Sequence, residues 1–485
     1  MKSASKTYAE LMQKIQNPPE WVVAVKPLQN KARGALAKIN DVTAHLVVLH
    51  KHYAELLEQI EQQEKKGEEH QRDVHDLQVL YQVGWSASIS EPVQIEIFKR
   101  CEHPGMPNSM GVCRGFRALI QPELESGMMP HLQVPRDMPT LQAAIEVVPS
   151  GGTIWVASGV YQERIRLNRN VHVVGLDNPV IARGCVVTGG NAKLTGLTFQ
   201  ASGSEKTLVL ADTQAVLQEC VVDGGGGVEV KGNTSNPQLS QCVIKNSTKS
   251  GVWVHKQGRG VYEGCDIHTN AGCNVQVQDG SEPTFKQCQI HDSKQCGVWV
   301  TKQGRGVYEG CDIHSNAMAN VTVQDGSEPT FKQCQMHDSK QRGVLVTKQG
   351  SGVYEGCNIH SNAGGGLQIQ SNADPQVKKC EIRDHNSTGV FVVEQGRGLL
   401  TDCKIYNNAL AGVCIRQGGD PKLQRCQIHS TRTTASGYLK MDVGSGVLIY
   451  EQGAGQFEDC ENYENSLTDW DIRDDCAVHI ERCNN

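Results

Sequence analysis

The sequence predicts an all-β solenoid, and three observations carry that prediction. Nine cysteines from Cys242 to Cys426 fall on one 23-residue spacing, and Cys220, Cys460 and Cys483 bring the total at that position to twelve of nineteen. The segment GVWV at 251 returns as GVWV at 297, GVLV at 343 and GVFV at 389, each 46 residues on, and as GVLI at 446. Between the cysteines, short apolar runs alternate with polar residues, which is the period of a half-buried strand. A fixed period of this length, with glycine-rich turns, marks a stack of repeating coils.

Aligning the coils on their cysteines assigns the core. Thirteen and eleven residues before each cysteine stand pairs such as Val252/Val254, Val275/Val277 and Val298/Val300. Three before it comes a large apolar side chain (Tyr262, Phe285, Tyr308, Phe331, Tyr354), and two after it Ile267, Ile290, Ile313, Met336 or Ile359. Coils stacked at the strand spacing of roughly 4.8 Å turn each position into a ladder. Charges obey the doubled period: Lys256, Asp279, Lys302, Asp325 and Lys348 alternate in sign, as do Arg259, Glu282, Arg305 and Glu328. Alternation lets neighbouring coils attract where identical charges would repel.

Composition excludes several classes. A net charge of −6 leaves no basic footprint for nucleic acid. No apolar run reaches the length of a membrane span, and the start MKSASKTYAELMQKIQ lacks the apolar core of a signal peptide, which points to a cytoplasmic protein. One cysteine per coil, flanked by apolar residues, reads as a reduced core thiol rather than a disulfide framework.

In chain order, residues 1–83 read as an α-helical region. Ile39, Val42, Leu46, Leu49, Tyr53, Leu56 and Ile60 form a heptad-like, coiled-coil seam that Val74, Leu77 and Tyr81 resume. This helix either packs on its own chain or meets a partner. Residues 84–138, rich in Pro, Gly and Met, read as an irregular connection, in which Cys101, His103, Cys113 and His131 match no zinc-ligand spacing. Residues 139–485 form the solenoid, with a cap helix at 141–147 and an inserted loop at 430–445.

No metal, cofactor or catalytic residue is expected. His268, His291, His314, His337 and His360 recur with the repeat and read as a turn ladder, since a catalytic site should break a repeat rather than obey it. The residue between the paired valines points outward, and every second coil places there Trp253, Trp299, Leu345, Phe391 and Leu448. Exposed aromatics on a rigid sheet mark a binding surface, unless the N-terminal helices cover them. The inserted loop adds Arg432, Tyr438, Lys440 and Asp442 as further binding candidates.

Two resemblances refine this picture. PTLQAAIEVVPSGGTIWVASGVY, from Pro139, resembles the cap and first coils of the right-handed parallel β-helix, the pectin-lyase-like fold. That fold is shared by pectate lyases, polygalacturonases and alginate epimerases. Coils such as GVFVVEQGRGLLTDC at 389 and GGDPKLQRCQIHS at 418 resemble the carbohydrate-binding-and-sugar-hydrolase-type repeats of the F-box ubiquitin-ligase receptor family. Residues 1–80 show heptads rather than an F-box. The second resemblance implies a non-enzymatic scaffold that recognises a protein partner, through the β-helix face and the N-terminal helices. The alternative is a polysaccharide-active lyase, hydrolase or epimerase, or a carbohydrate-binding protein.

Overall fold

The computed structural model describes residues 131–432 and 444–484. The chain divides into two compact units, 1–128 and 129–485, and all described residues belong to the second. The heptad-patterned helix and most of the connecting region therefore lie outside the described residues.

The described chain winds as a right-handed parallel β-solenoid of about 23 residues per coil. Each coil lays down three short strands, one in each of three parallel sheets of 16, 14 and 14 strands. One coil shows the order. Val252–His255 enters the valine sheet, Val261–Glu263 the aromatic sheet and Asp266–His268 the histidine sheet, before Val275–Val277 begins the next coil. Register is maintained one coil at a time: Val252 pairs with Val275, Tyr262 with Phe285, Ile267 with Ile290.

Alternation within three-residue strands drives the central residue of the aromatic and histidine strands inward, and the two outer residues of the valine strand. Tyr262, Phe285, Tyr308, Phe331 and Tyr354 are fully buried and stack with ring centroids 4.3 to 5.2 Å apart and planes within 8°. Beside them the cysteine ladder is buried. Cys288 Sγ donates to the carbonyls of Tyr262 and Lys286 at 3.4 and 3.3 Å, and Cys311 repeats the pattern on Phe285 and Glu309. All seventeen described cysteines are free thiols. Each buried valine or isoleucine contributes roughly 1.5–3 kcal/mol, so the column is stabilised coil upon coil by nearest-neighbour contacts.

Sharp corners separate the sheets. The residue before each ladder cysteine is left-handed, as at Gln241, Gly264, Gln287 and Gly310, with φ between 50 and 60°. The amide of Gln287 is satisfied there by the carbonyl of Glu309, one coil on. A second corner follows the histidine strand and buries Asn270, Asn316 and Asn362. Asn270 Nδ2 donates to Asn274 Oδ1 at 2.8 Å, and Asn274 Nδ2 to Asn316 Oδ1 at 3.3 Å, so one side-chain chain satisfies the polar interior.

At the N-terminal end, helix α1 (Leu141–Val147) starts on Thr140, whose hydroxyl accepts from the Ala143 amide at 3.2 Å. It buries Leu141, Ala144 and Ile145 over the first strands. One of those strands, His131–Val134, falls in the stretch expected to be irregular and pairs in register with Thr153–Val156.

Candidate functional site

The outer face of the valine sheet carries two rows, because residues two apart in a strand share a face. One row runs Glu229, Trp253, Gln276, Trp299, Thr322, Leu345, Gln368 and Phe391, each paired to the next. The second row runs Thr188, Ala211, Lys231 and His255. Trp253, Trp299, Leu345 and Phe391 are half-buried, as outward side chains on a sheet should be. Leu448 departs from the expected exposed stripe. At 7% exposure it is buried in a cluster with Ala411 and Cys414, with Phe391 and Tyr450 packed against it.

Of the loop candidates, Arg432 is exposed, and its guanidinium donates to the carbonyls of Asn407 and His385 at 3.0 and 3.4 Å. Tyr438, Lys440 and Asp442 lie outside the described residues.

Ionisable groups converge where the first outer row passes from Val209 to Glu229. Glu229 occupies the outward position between Val228 and Val230 yet is only 8% exposed. Its Oε1 accepts from His255 Nε2 at 3.0 Å and its Oε2 from Lys231 Nζ at 3.0 Å. The hydrogen bond from His255 is the main reason its carboxyl is held down at about 2, against the opposing effect of burial. His255, 5% exposed, stacks on Trp253 with centroids 3.8 Å apart and planes within 4°. Lys206 Nζ lies 4.8 Å from the centroid of the same indole and donates to the Gly226 carbonyl at 2.9 Å.

Burial lowers the Lys206 pKa, with Glu229 opposing that fall and Lys249 and Lys231 adding to it. The indole Nε1 of Trp253 is buried without a hydrogen-bond partner among the described residues.

The run Gly224–Gly227 makes the convergence possible. A Cβ on Gly225 would lie 2.4 Å from Thr207 Oγ1, and one on Gly227 2.4 Å from the Gly251 carbonyl. Glycine alone lets the segment carrying Lys206 approach this closely. Sequence reasoning missed the site. The available signals were a glutamate framed by two core valines and four consecutive glycines in a coil whose cysteine spacing is 22 rather than 23.

On the opposite flank, the histidine stack has the geometry of a turn ladder. His268, His291, His314, His337 and His360 follow one another at 4.8 to 5.0 Å with nearly parallel rings. His291 and His337 are each held by two aspartates, His337 at 2.9 Å from Asp312 and 2.7 Å from Asp338. Those contacts, Asp312 first, raise the His337 pKa, while burial lowers those of His314 and His360 on either side. Among the described residues no group of three or more His, Cys, Asp or Glu is placed to hold a metal ion. Nor is any helix among them long and apolar enough to cross a membrane.

The fold and this face define a class, and comparison with known proteins gives it a family. The model of the right-handed beta helix region matches residues 183–321 and 276–428, together half of the chain, and the chain belongs to that family. No curated protein matches it in sequence.

Solved structures of similar fold include the A-module of the Azotobacter vinelandii mannuronan C-5 epimerase AlgE6, at 14% identity and TM-score 0.41. The match covers 71% of this chain and 94% of that one. The catalytic unit of a Streptomyces thermodiastaticus α-1,3-glucanase matches at 12% identity and TM-score 0.44, covering 73% and 69%. A periplasmic alginate epimerase matches at 9% and 0.41, covering 73% and 84%.

These are likenesses of fold. The expectation of a non-enzymatic scaffold of F-box type is corrected: the family shown is the right-handed beta helix region, and the solved structures of similar fold are polysaccharide epimerases and glucanases. The ubiquitin-ligase descriptor falls with that scaffold, and the coiled-coil seam lies outside the described residues.

Proposed function

We propose that this β-helix is a polysaccharide-active protein whose glycan lies along the outer face of the valine sheet, with the Glu229 cluster as its reactive end. The observation that carries the reading is the crowding of Lys206, Lys231 and His255 around a single ionised carboxylate, Glu229. Basic groups outnumber acidic ones there, although the whole chain is net negative. A local excess of positive charge suits an anionic sugar, and a uronate carboxylate is the simplest such group.

The chemistry follows from the protonation states. Glu229, held at about 2 and engaged by two donors, is unsuited to protonate a glycosidic oxygen, which needs a carboxyl with a raised pKa. Lys206, its pKa lowered by burial, is closer to the neutral form that accepts a proton. Lys231 offers the charge to neutralise a uronate carboxylate. Proton abstraction next to that carboxylate leads to elimination or to epimerisation. Glu229 and Trp253 are positioning residues in this scheme: the first orients His255 and Lys231, and the second packs against His255 and Lys206.

Down the face, Trp299, Leu345 and Phe391 alternate with Gln276, Thr322 and Gln368, apolar surfaces for sugar rings beside amide and hydroxyl groups for their hydroxyls. From Trp253 to Phe391 the face runs roughly 29 Å at the strand spacing. Arg432, Tyr438, Lys440 and Asp442 extend the proposed contacts at the inserted loop.

A panel of neutral and uronate-containing polysaccharides tests the reading by binding calorimetry with the full chain. Uronate chains should bind, weaken as salt is raised, and lose at least tenfold in affinity in Lys206→Ala/Lys231→Ala. Equal affinity for neutral and acidic chains, or indifference to the double substitution, would remove the site from consideration.

A further inference from the structure

Outside the core ladder the fold stacks one further pair of cysteines. Cys273 and Cys296 occupy the same corner position in successive coils, just before the valine strands Val275–Val277 and Val298–Val300. The backbone joins the two turns directly, since the Asn274 amide donates to the Cys296 carbonyl at 3.1 Å and the Val275 amide to Gly297 at 2.9 Å. The Cys273 thiol donates to Gln295 Oε1 at 3.8 Å, a residue of the turn that carries Cys296. The row holds only these two sulfurs among the described residues, because Ser250 stands one coil before and Ala319 one coil after.

Two features set the pair apart from the ladder thiols. The ladder cysteines from Cys220 to Cys460 are 0–1% exposed, point inward and donate to backbone carbonyls, whereas Cys296 is 8% exposed and Cys273 2%. The Sγ of Cys296 also lies 3.2 Å from the Thr322 hydroxyl, a donor able to stabilise a thiolate. Adjacent parallel coils separate equivalent Cα atoms by roughly 4.8 Å, inside the roughly 4.4–6.8 Å range that a disulfide spans.

We infer that Cys273 and Cys296 form a redox-active dithiol that exchanges with a small-molecule disulfide to give an inter-coil disulfide. In the first step the Cys296 thiolate attacks one sulfur of the small disulfide. That S–S bond breaks, a mixed disulfide forms, and the departing thiolate takes up a proton. In the second step Cys273 loses its proton and its sulfur attacks Cys296, releasing the second small thiol. Two protein thiols are oxidised to one disulfide, and one small disulfide is reduced to two thiols. The neighbouring Cys273 thiol, with the Thr322 hydroxyl contributing, lowers the Cys296 thiol against the opposing effect of burial, which suits it to the attacking role. The raised Cys273 thiol suits the resolving one. The bridge would tie together the coils that carry Gln276 and Trp299 on the glycan face.

The test uses the native full chain with oxidised glutathione, followed by alkylation of the remaining thiols under denaturing conditions and peptide mapping. The half-exposed Cys476 reports whether the reagent is active. The expected product is a crosslinked peptide pair, Cys273 to Cys296, lighter by two hydrogens, with the ladder cysteines alkylated. In Cys273→Ser, glutathione should accumulate on Cys296, and in Cys296→Ser, Cys273 should stay free. Alkylation of both residues in the wild type while Cys476 is modified, or a crosslink through the ladder instead, would overturn the assignment.

Discussion

Glu229 and His255 stand on adjacent coils and meet at 3.0 Å, Oε1 to Nε2, while Lys231 closes on the other carboxylate oxygen at the same distance. Residues that repeat every coil build the scaffold, and this pair belongs to no repeat. Its position in an outward row, beside the Trp253 indole, gathers charged groups on an otherwise regular sheet face.

The pair predicts an acid-sensitive contribution to stability. The folded chain keeps Glu229 ionised down to about 2, against an ordinary value of 4.5. The stabilisation is therefore present above pH 4.5 and is lost as the pH falls towards 2. Solvent screening on the Lys231 side holds it to the order of 2 kcal/mol. Urea unfolding of Glu229→Gln should show a loss of that size at pH 7 that shrinks below pH 4.5 and has largely vanished by pH 2.

A second pH window belongs to His385, which stands where neighbouring coils place Asn362 and Asn408. It is fully buried, and its Nδ1 accepts from the Asn362 amide at 3.1 Å, while Nε2 has no partner among the described residues. Burial lowers its pKa from 6.5 to about 3, so between those values the unfolded chain binds the extra proton. Stability is then full above pH 6.5 and declines as the pH falls below it. In His385→Asn, Tm should fall less steeply between pH 6.5 and pH 4 than in the wild type.

The aromatic column carries an unusual cost. The hydroxyls of Tyr262, Tyr308 and Tyr354 are buried without hydrogen-bond partners among the described residues. Removing such a group while keeping the ring in its stack relieves a desolvation penalty. Tyr308→Phe should match the wild type or exceed it by up to about 1 kcal/mol in denaturant unfolding, whereas Tyr308→Ala should lose about 3–5 kcal/mol.

Glycines divide into those that hold a conformation and those that leave room. Gly264 is left-handed at φ 58°, but a Cβ there would meet only Gln241 Cγ at 3.8 Å, and glutamine already fills the equivalent corner at Gln287. A Cβ on Gly366 would lie 2.5 Å from the Gly389 carbonyl, from His385 Nε2 and from Ile382 Cγ2. Gly264→Gln should change stability by less than about 1 kcal/mol, and Gly366→Ala should cost at least about 1–3 kcal/mol. Thermal unfolding of the two variants separates the cases.

These contrasts explain what the sequence could reveal. Tyr262, Cys265 and Ile267 recur in every coil with the spacing of a solenoid, so their inward positions could be read by alignment of the chain with itself. The charged staples were only partly legible. Arg305 reaches Glu282 at 3.1 Å, but Lys256, Asp279 and Lys302 stand on left-handed corners, where backbone conformation also constrains the position. The Glu229 cluster escaped because Lys206 and Glu229 lie in coils of irregular length. Their approach depends on the backbone contacts of Gly225 and Gly227, which no period announces. Leu448 was misjudged for a related reason. The coil that follows the inserted loop buries a residue that simple alternation would leave on the surface.

The most direct test follows uronate chemistry at the valine-sheet face. The full chain would be incubated with polyuronates, following unsaturated uronyl ends by ultraviolet absorbance and inversion at the carbon bearing the carboxylate by proton NMR. The account predicts turnover that drops at least a hundredfold in Lys206→Ala, while Trp299→Ala chiefly raises KM. Absence of both turnover and binding across the panel, or turnover that survives Lys206→Ala unchanged, would contradict it.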